Sequence, residues 1–464
     1  MSRVQKVLRP AVAMLLIAGC AEKTALTAAP FAADPRFTAD VANPGRPLVG
    51  DFGVDVPNAY YDLSRTFTKR TGGFTPPVQA RAYGYMGLAL YEALVSGMPD
   101  HQSVARELNG IGTLPEPKSI PYQWPLVANA ALAEVMRGLW GDKTDHAAQN
   151  IADLDALEAS FTSQYGADVP PGLAKQSIEF GRAMGAAVFA TSIDDGGHEG
   201  YLTNFPATYS PPQGPGFWVT TAPGQVAMQP FWGATVQTLA LSDARACDPG
   251  PPPAYSEQQD SPFYAEAKED YDISKNLTQD QLTIARYWAD GPGTFSGPGH
   301  SMAIVGEVLS QHGGTLADAA EAYARAGIAN ADAVTSIWWV KYHYNLLRPV
   351  TYIRRVIDPT WTPVLPTPPF PEYVSAHSGQ SAASLATLET LFGTNVSFVD
   401  HAHDADGFAP RSFDRIFAAA EEAGISRLYA GIHFRSGNLN GRALGECIAA
   451  KVDALDWRRA PNEQ

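Results

Sequence analysis

Basic residues are scarce in this chain. Its 464 residues include 33 Lys and Arg against 48 Asp and Glu, a net charge of −15. No basic run occurs, so phosphate repulsion makes the chain a poor nucleic-acid binder. Long apolar stretches are also missing. After the first twenty residues none is long enough to span a bilayer. Sustained apolar/polar alternation is missing too, so no strand pattern is expected. Cysteine is confined to Cys20, Cys247 and Cys447. Core-forming material is plentiful. Hydrophobic residues make up 45% and charged residues 17%, with 9 Trp, 19 Tyr and 20 Phe, which excludes global disorder. The 41 Gly and 37 Pro cluster, which implies long ordered loops between helices.

The first twenty residues read as an address. Arg3, Lys6 and Arg9 form a positive segment ahead of the short apolar run Ala11 to Ala18. Ile17-Ala18-Gly19-Cys20 resembles a bacterial lipobox. That resemblance implies cleavage before Cys20 and acylation of its sulfur, hence an exported protein tied to a membrane by a lipid anchor. A plain secretory signal containing a cysteine is the other reading. Ala21 replaces the Asp common in lipoproteins retained at the inner membrane, and so points to the outer membrane, facing the periplasm. Cys247 and Cys447 then fit either a disulfide in an oxidising compartment or two buried thiols.

Helical periodicity recurs at 78–95, 126–139, 145–163, 173–190, 277–289, 302–312, 316–348, 379–392, 411–432 and 440–456. The reading is an all-α fold of bundled helices in two halves. Residues 1–19 would be the signal and 20–58 a tether. Residues 59–275 would form an N-terminal helical half ending in a loop-rich insert from about 193. Residues 276–464 would form a C-terminal helical half that carries the site.

Three segments hold the chemistry. In the first, Lys341 and Arg348 stand seven apart, which returns them to one helix face within about 20°. Their neighbours are aromatic and aliphatic, and a buried cation needs an anionic partner. No Asp or Glu lies between Asp332 and Asp358, so the partner comes from elsewhere in the chain or from a ligand. Pro349 ends this helix. In the second segment, a Pro-rich loop delivers Ser375, Ala376 and His377 to a helix N-terminus, whose unpaired N–H groups suit an oxyanion. In the third, Arg427 and His433 are six apart. A regular helix would separate them by roughly 120°, so either the helix yields near Gly431 or the arginine reaches around.

Lys341 with Arg348-Pro349, Ser375-Ala376-His377, and Ser426-Arg427 followed by His433 resemble, in order, the three motifs of the vanadium-dependent haloperoxidases and the related type 2 phosphatidic acid phosphatases. The layout covers roughly residues 60 to 456. The resemblance implies vanadate as cofactor and the chloroperoxidase/acid phosphatase-like helical fold. It makes His433 the ligand bonded to vanadium. Lys341, Arg348 and Arg427 would neutralise the vanadate oxygens. Ser375 and the Ala376 N–H would donate to those oxygens, and His377 would be the acid/base. Such a site would use hydrogen peroxide and halide to give a hypohalous species. A soluble acid phosphatase is the alternative: there phosphate is substrate, His433 takes the phosphoryl group and no cofactor is needed.

Two positions depart from the family pattern. Val374 replaces its proline and Ala376 its glycine, a methyl that strains the loop if φ must be positive. Trp338 and Phe370 look like the aromatic wall of the chloroperoxidase branch, although packing alone also places aromatics there. Asp400 to Asp406, with His401 and His403, could bind a divalent ion, but no matching ligand cluster is evident and the segment reads as a solvated loop. Asp194 to Glu199 reads as a surface turn, and His343, two residues off the face of Lys341 and Arg348, as structural or as a support to the site. Gly297-Pro-Gly-His300 looks like a family loop bordering the site.

Overall fold

The computed structural model describes residues 47–459 apart from Asp142 and Pro292. The signal, Cys20 and the tether through residue 46 lie outside the described residues, as do 460–464. The expected all-α architecture is present. The helices before and within the insert are α1 (Asp55–Arg70), α2 (Pro76–Leu94), α3 (Trp124–Leu139), α4 (Ala147–Gly166), α5 (Pro171–Ser192), α6 (Trp232–Thr235) and α7 (Pro262–Lys275). After it come α8 (Gln279–Tyr287), α9 (Ser296–Gln311), α10 (Leu316–Tyr344), α11 (Pro349–Val356), α12 (Ala376–Phe392), α13 (Ile416–Tyr429) and α14 (Arg435–Asp453). None of the described helices is long and apolar enough to cross a membrane.

The central helix is α10, 29 residues and so about 44 Å long. Thr315 and Asp318 cap its start reciprocally: the Asp318 N–H donates to Thr315 Oγ1 (3.2 Å) and the Thr315 N–H to Asp318 Oδ2 (2.8 Å). It packs on α2, α9, α12 and α14. The α2 crossing needs small residues. A Cβ on Gly87 would run into the Tyr323 carbonyl, and one on Gly327 into the Tyr83 carbonyl. Backbones can therefore meet there, and nearly all of α2 and α10 is buried.

Several elements differ from the sequence reading. α1 starts at Asp55, inside the stretch read as tether, because Val56 and Tyr60 face the core. The insert contains the fourteen-residue helix α7. Its buried stripe is only Phe263, Ala267 and Asp270, too sparse to stand out in so acidic a segment. The helix read as 316–348 stops at Tyr344, where Asn345 adopts a left-handed conformation (φ 48°) and its N–H returns to the Lys341 carbonyl at 2.9 Å. Finally, Phe398–Asp400 (β1) and Arg411–Phe413 (β2) form a small antiparallel ladder, too short for a visible alternation.

Cys247 and Cys447 form a disulfide, joining the insert to α14. The insert also bonds to residues around the site. Trp338 Nε1 (3.3 Å) and the Tyr342 hydroxyl (2.6 Å) donate to the Met228 carbonyl, and the Tyr373 hydroxyl to the Gly250 carbonyl (2.8 Å). Cross-linking so long a loop constrains the unfolded chain. Reduction should therefore cost about 2–4 kcal/mol, read as a lower calorimetric midpoint with reductant and in the double Cys247→Ser, Cys447→Ser variant. An unchanged midpoint would contradict this.

Candidate active site

The residues singled out in the three segments converge. Lys341 sits in the last turn of α10, fully buried. Arg348 is not on that helix: it is the extended N-cap residue of α11 (φ −82°, ψ 153°), since the residue before a proline is excluded from the α region. Helical spacing therefore does not align the two cations. They meet because both reach over the Phe370 ring, at 5.0 and 4.9 Å from its centroid. Phe370 in turn packs on Trp338, at 5.2 Å between ring centroids.

All three Lys341 ammonium protons are taken by one loop. They go to the carbonyls of Pro371 (3.0 Å), Glu372 (2.9 Å) and Val374 (2.6 Å). Lys341 thus secures the loop and lends its charge. Arg348 Nε donates to the Phe370 carbonyl (2.8 Å), and Nη1 to the Ile432 carbonyl (2.8 Å) and to His433 Nε2 (3.1 Å). Arg348 Nη2 is buried and has no partner.

Ser375 is the N-cap residue of α12, its Oγ accepting from the Ser378 N–H (3.4 Å) and hydroxyl (3.0 Å). The helix starts three residues earlier than periodicity placed it, so Ala376 and His377 occupy its first turn. Ala376 has no positive φ, so its methyl adds no left-handed strain. The peptide bond from Tyr373 to Val374 is cis. Arg427 closes the site from α13, its Nη2 donating to the carbonyls of Ala285 (3.3 Å) and Trp288. That helix ends at Tyr429, and Gly431 at φ 70° turns the chain toward His433. Of the two routes the sequence allowed, the helix yields.

Electrostatically the site is a buried excess of cations. Burial lowers Lys341 well below its ordinary value and brings Arg348 and Arg427 down to about 10. Burial, then Arg348 and Lys341, holds His433 well below the usual histidine range, so its imidazole is neutral. Burial and then Arg427 bring His377 down to about 4. His377 keeps 18% of its side chain exposed, whereas His433 keeps 3%. His377 is therefore the more accessible of the two histidines.

Sequence reasoning missed two carboxylates. Glu372 lies behind His433, with Oε1 at 2.8 Å from Nδ1. It lies in the Pro-rich loop ahead of Ser375, and nothing about its spacing marks it. Asp290 precedes the Gly291-Pro-Gly loop. Its buried carboxylate meets His300 Nδ1 (3.2 Å), His403 Nε2 (3.1 Å) and His377 Nε2 (3.4 Å). Two further carboxylates hold the far nitrogens: Asp400 pairs with His300 Nε2 (2.9 Å) and Asp406 with His403 Nδ1 (2.9 Å). Ligand atoms of Asp290, His300 and His403 lie within 4.8 Å of one another, close enough for a cation. Each histidine nitrogen there is already paired with a carboxylate, and the two aspartates push His300 up to about 10. The cluster is therefore a carboxylate–histidine network, with His377 Nε2 lying 3.4 Å from the Asp290 carboxylate at its edge.

Two expectations for loops are corrected accordingly. His403 is buried in this network and not solvated, although His401 remains exposed with Asp404 at 2.8 Å. Asp195, in the expected surface turn, is buried against Arg81 at 2.6 Å. His343 is exposed and stacks on Trp339, with 4.4 Å between ring centroids.

Residues 321–457 match the family described as the VCPO second helical-bundle domain. No curated protein sequence matches the chain. Among solved structures, one described as the first bacterial vanadium-dependent iodoperoxidase is 30% identical, with a TM-score of 0.78. The match covers 88% of this chain and 98% of that one. The chain belongs to the vanadium-dependent haloperoxidase family. Holo and apo bacterial vanadium-dependent chloroperoxidases share the haloperoxidase fold at 15% and 14% identity, with TM-scores of 0.65 and 0.63. The matches cover 84% of this chain and 93% of the holo chain, and 83% and 94% for the apo pair. The residues present suit the family's cofactor. Arg348 Nη2 is a buried donor without a partner, the charges of Arg348, Lys341 and Arg427 all act on His433, and the neutral His433 can supply one nitrogen ligand to a metal.

Proposed function

We propose that the chain is a vanadate-dependent haloperoxidase, which uses hydrogen peroxide to oxidise halide to a hypohalous acid. Overall, halide, peroxide and one proton give the hypohalous acid and water. The observation that carries this reading is the buried meeting of Arg348 and His433 Nε2, with one guanidinium nitrogen unpartnered, among three cations. Lys341, Arg348 and Arg427 would offset the charge of vanadate, Ser375 and the Ala376 N–H would donate to its oxygens, and His433 Nε2 would bond the metal. Bound vanadate supplies Lewis acidity toward peroxide. His377, partly exposed and facing the Asp290 carboxylate through Nε2, would hold and move the proton at its other ring nitrogen, Nδ1. The disulfide supports export to an oxidising compartment, in keeping with the lipid-anchor reading of Cys20.

The test is an assay of the purified protein with and without vanadate, offering peroxide with iodide, bromide or chloride. Iodide is included because the relative at 30% identity is an iodoperoxidase. Halide oxidation that requires vanadate is expected. Hydrolysis of an aryl phosphate that vanadate inhibits, with no halide oxidation, would instead establish the phosphatase alternative.

A further inference from the structure

His433 has a fixed environment on both of its nitrogens. Nδ1 faces Glu372 Oε1 at 2.8 Å, and the same oxygen accepts from the Phe434 N–H at 3.1 Å. Nε2 faces Arg348 Nη1 at 3.1 Å. A guanidinium only donates, so Nε2 must be the bare nitrogen. Oε1 accepts at both of its contacts, so Nδ1 must carry the proton. Both ends favour the same tautomer, Arg348 at Nε2 and Glu372 at Nδ1.

Glu372 is itself held by its backbone. Its N–H donates to the Leu346 carbonyl (2.9 Å) and its carbonyl accepts from Lys341 Nζ (2.9 Å). Gly437 makes room for the carboxylate, because a Cβ there would overlap Oε1. We propose that Glu372 is a positioning residue: it fixes His433 as the Nδ1–H tautomer and so presents the Nε2 lone pair to the metal of a bound oxyanion. This rests on the haloperoxidase reading above. The chemistry is that of a carboxylate behind a ligating imidazole, which orients the ring and raises its basicity. A counter-charge for Lys341 and Arg348 would not need the carboxylate on Nδ1, and that difference makes the role testable.

The experiment compares wild type with Glu372→Ala, Glu372→Gln and Gly437→Ala. Two quantities are measured: the His433 tautomer by histidine ¹⁵N NMR without vanadate, assigned against His433→Gln, and the vanadate dissociation constant by calorimetry. In Glu372→Ala only Arg348 still favours the bare Nε2, so a share of the Nε2–H form should appear and vanadate affinity should fall about 10- to 100-fold. Glu372→Gln keeps an acceptor oxygen and should restore the tautomer and much of the affinity. Gly437→Ala keeps the charge but displaces the carboxylate, and should behave like Glu372→Ala. An unchanged tautomer in both Glu372→Ala and Gly437→Ala overturns the proposal, as does equal loss of affinity in the alanine and glutamine variants. If wild type binds no vanadate, the haloperoxidase reading falls, and the tautomer comparison still decides the role of Glu372.

Discussion

Replacing His433 with alanine should abolish vanadate binding and bring vanadate-dependent halide oxidation to background, a loss on the order of 10³-fold or more. His433 presents a bare, buried nitrogen surrounded by cations. Removing a single preorganised donor from such a site costs about 10²–10³ in rate. A ligand to the metal itself should cost more, because among the described residues no other imidazole bonds to Arg348 and could replace it. The fold should survive. Arg348 Nη1 keeps the Ile432 carbonyl (2.8 Å) and Glu372 Oε1 keeps the Phe434 N–H (3.1 Å). Calorimetric titration with vanadate, steady-state oxidation and near-ultraviolet circular dichroism separate loss of site from loss of fold. A well-folded variant that still binds vanadate and oxidises halide would remove His433 from its role.

Why those residues are legible in the sequence, and others are not, follows from what each depends on. Lys341, Arg348, Ser375, Ala376, His377, Arg427 and His433 are legible because their spacings resemble, in order, the three motifs of a known family. The reason they meet is not legible there. Helical spacing suggests a shared face for Lys341 and Arg348, yet the local rule about the residue before proline already places Arg348 off the helix. Packing on Phe370 supplies the juxtaposition, and packing between distant segments leaves no period in a sequence. Gly431 is legible as a break because glycine is the residue that turns left-handed at little cost. The carboxylates Glu372 and Asp290 are hidden for the opposite reason. An acidic residue in a loop is ordinarily solvated, and only the fold shows that His433 lies against one and three histidines against the other. The same prior misplaces His403.

Asp290→Asn should produce the largest change in stability, about 3–5 kcal/mol, because it breaks a buried ion pair from one side. Asp290 is surrounded by His300, His403 and His377, and Arg427 adds its charge. Contact with these histidines, His300 foremost, holds its carboxyl well below the usual range in spite of burial. His300 lies between Asp290 and Asp400, which push it up to about 10 from 6.5. A histidine raised in the folded state adds stability that is fully present below its unfolded value near 6.5 and is lost as pH rises through about 10. Asp290, lowered on folding, contributes in the other direction: its share is present above its unfolded value near 3.8 and fades as pH falls toward its depressed native value. Wild type should therefore lose stability between pH 6.5 and 10, and Asp290→Asn should flatten that slope, since only Asp400 remains to hold the His300 proton. Denaturant unfolding across this range measures both effects. A slope as steep in the variant as in wild type would mean that Asp290 does not hold the charge of His300, and that the network behind His377 is bound together by something other than this carboxylate.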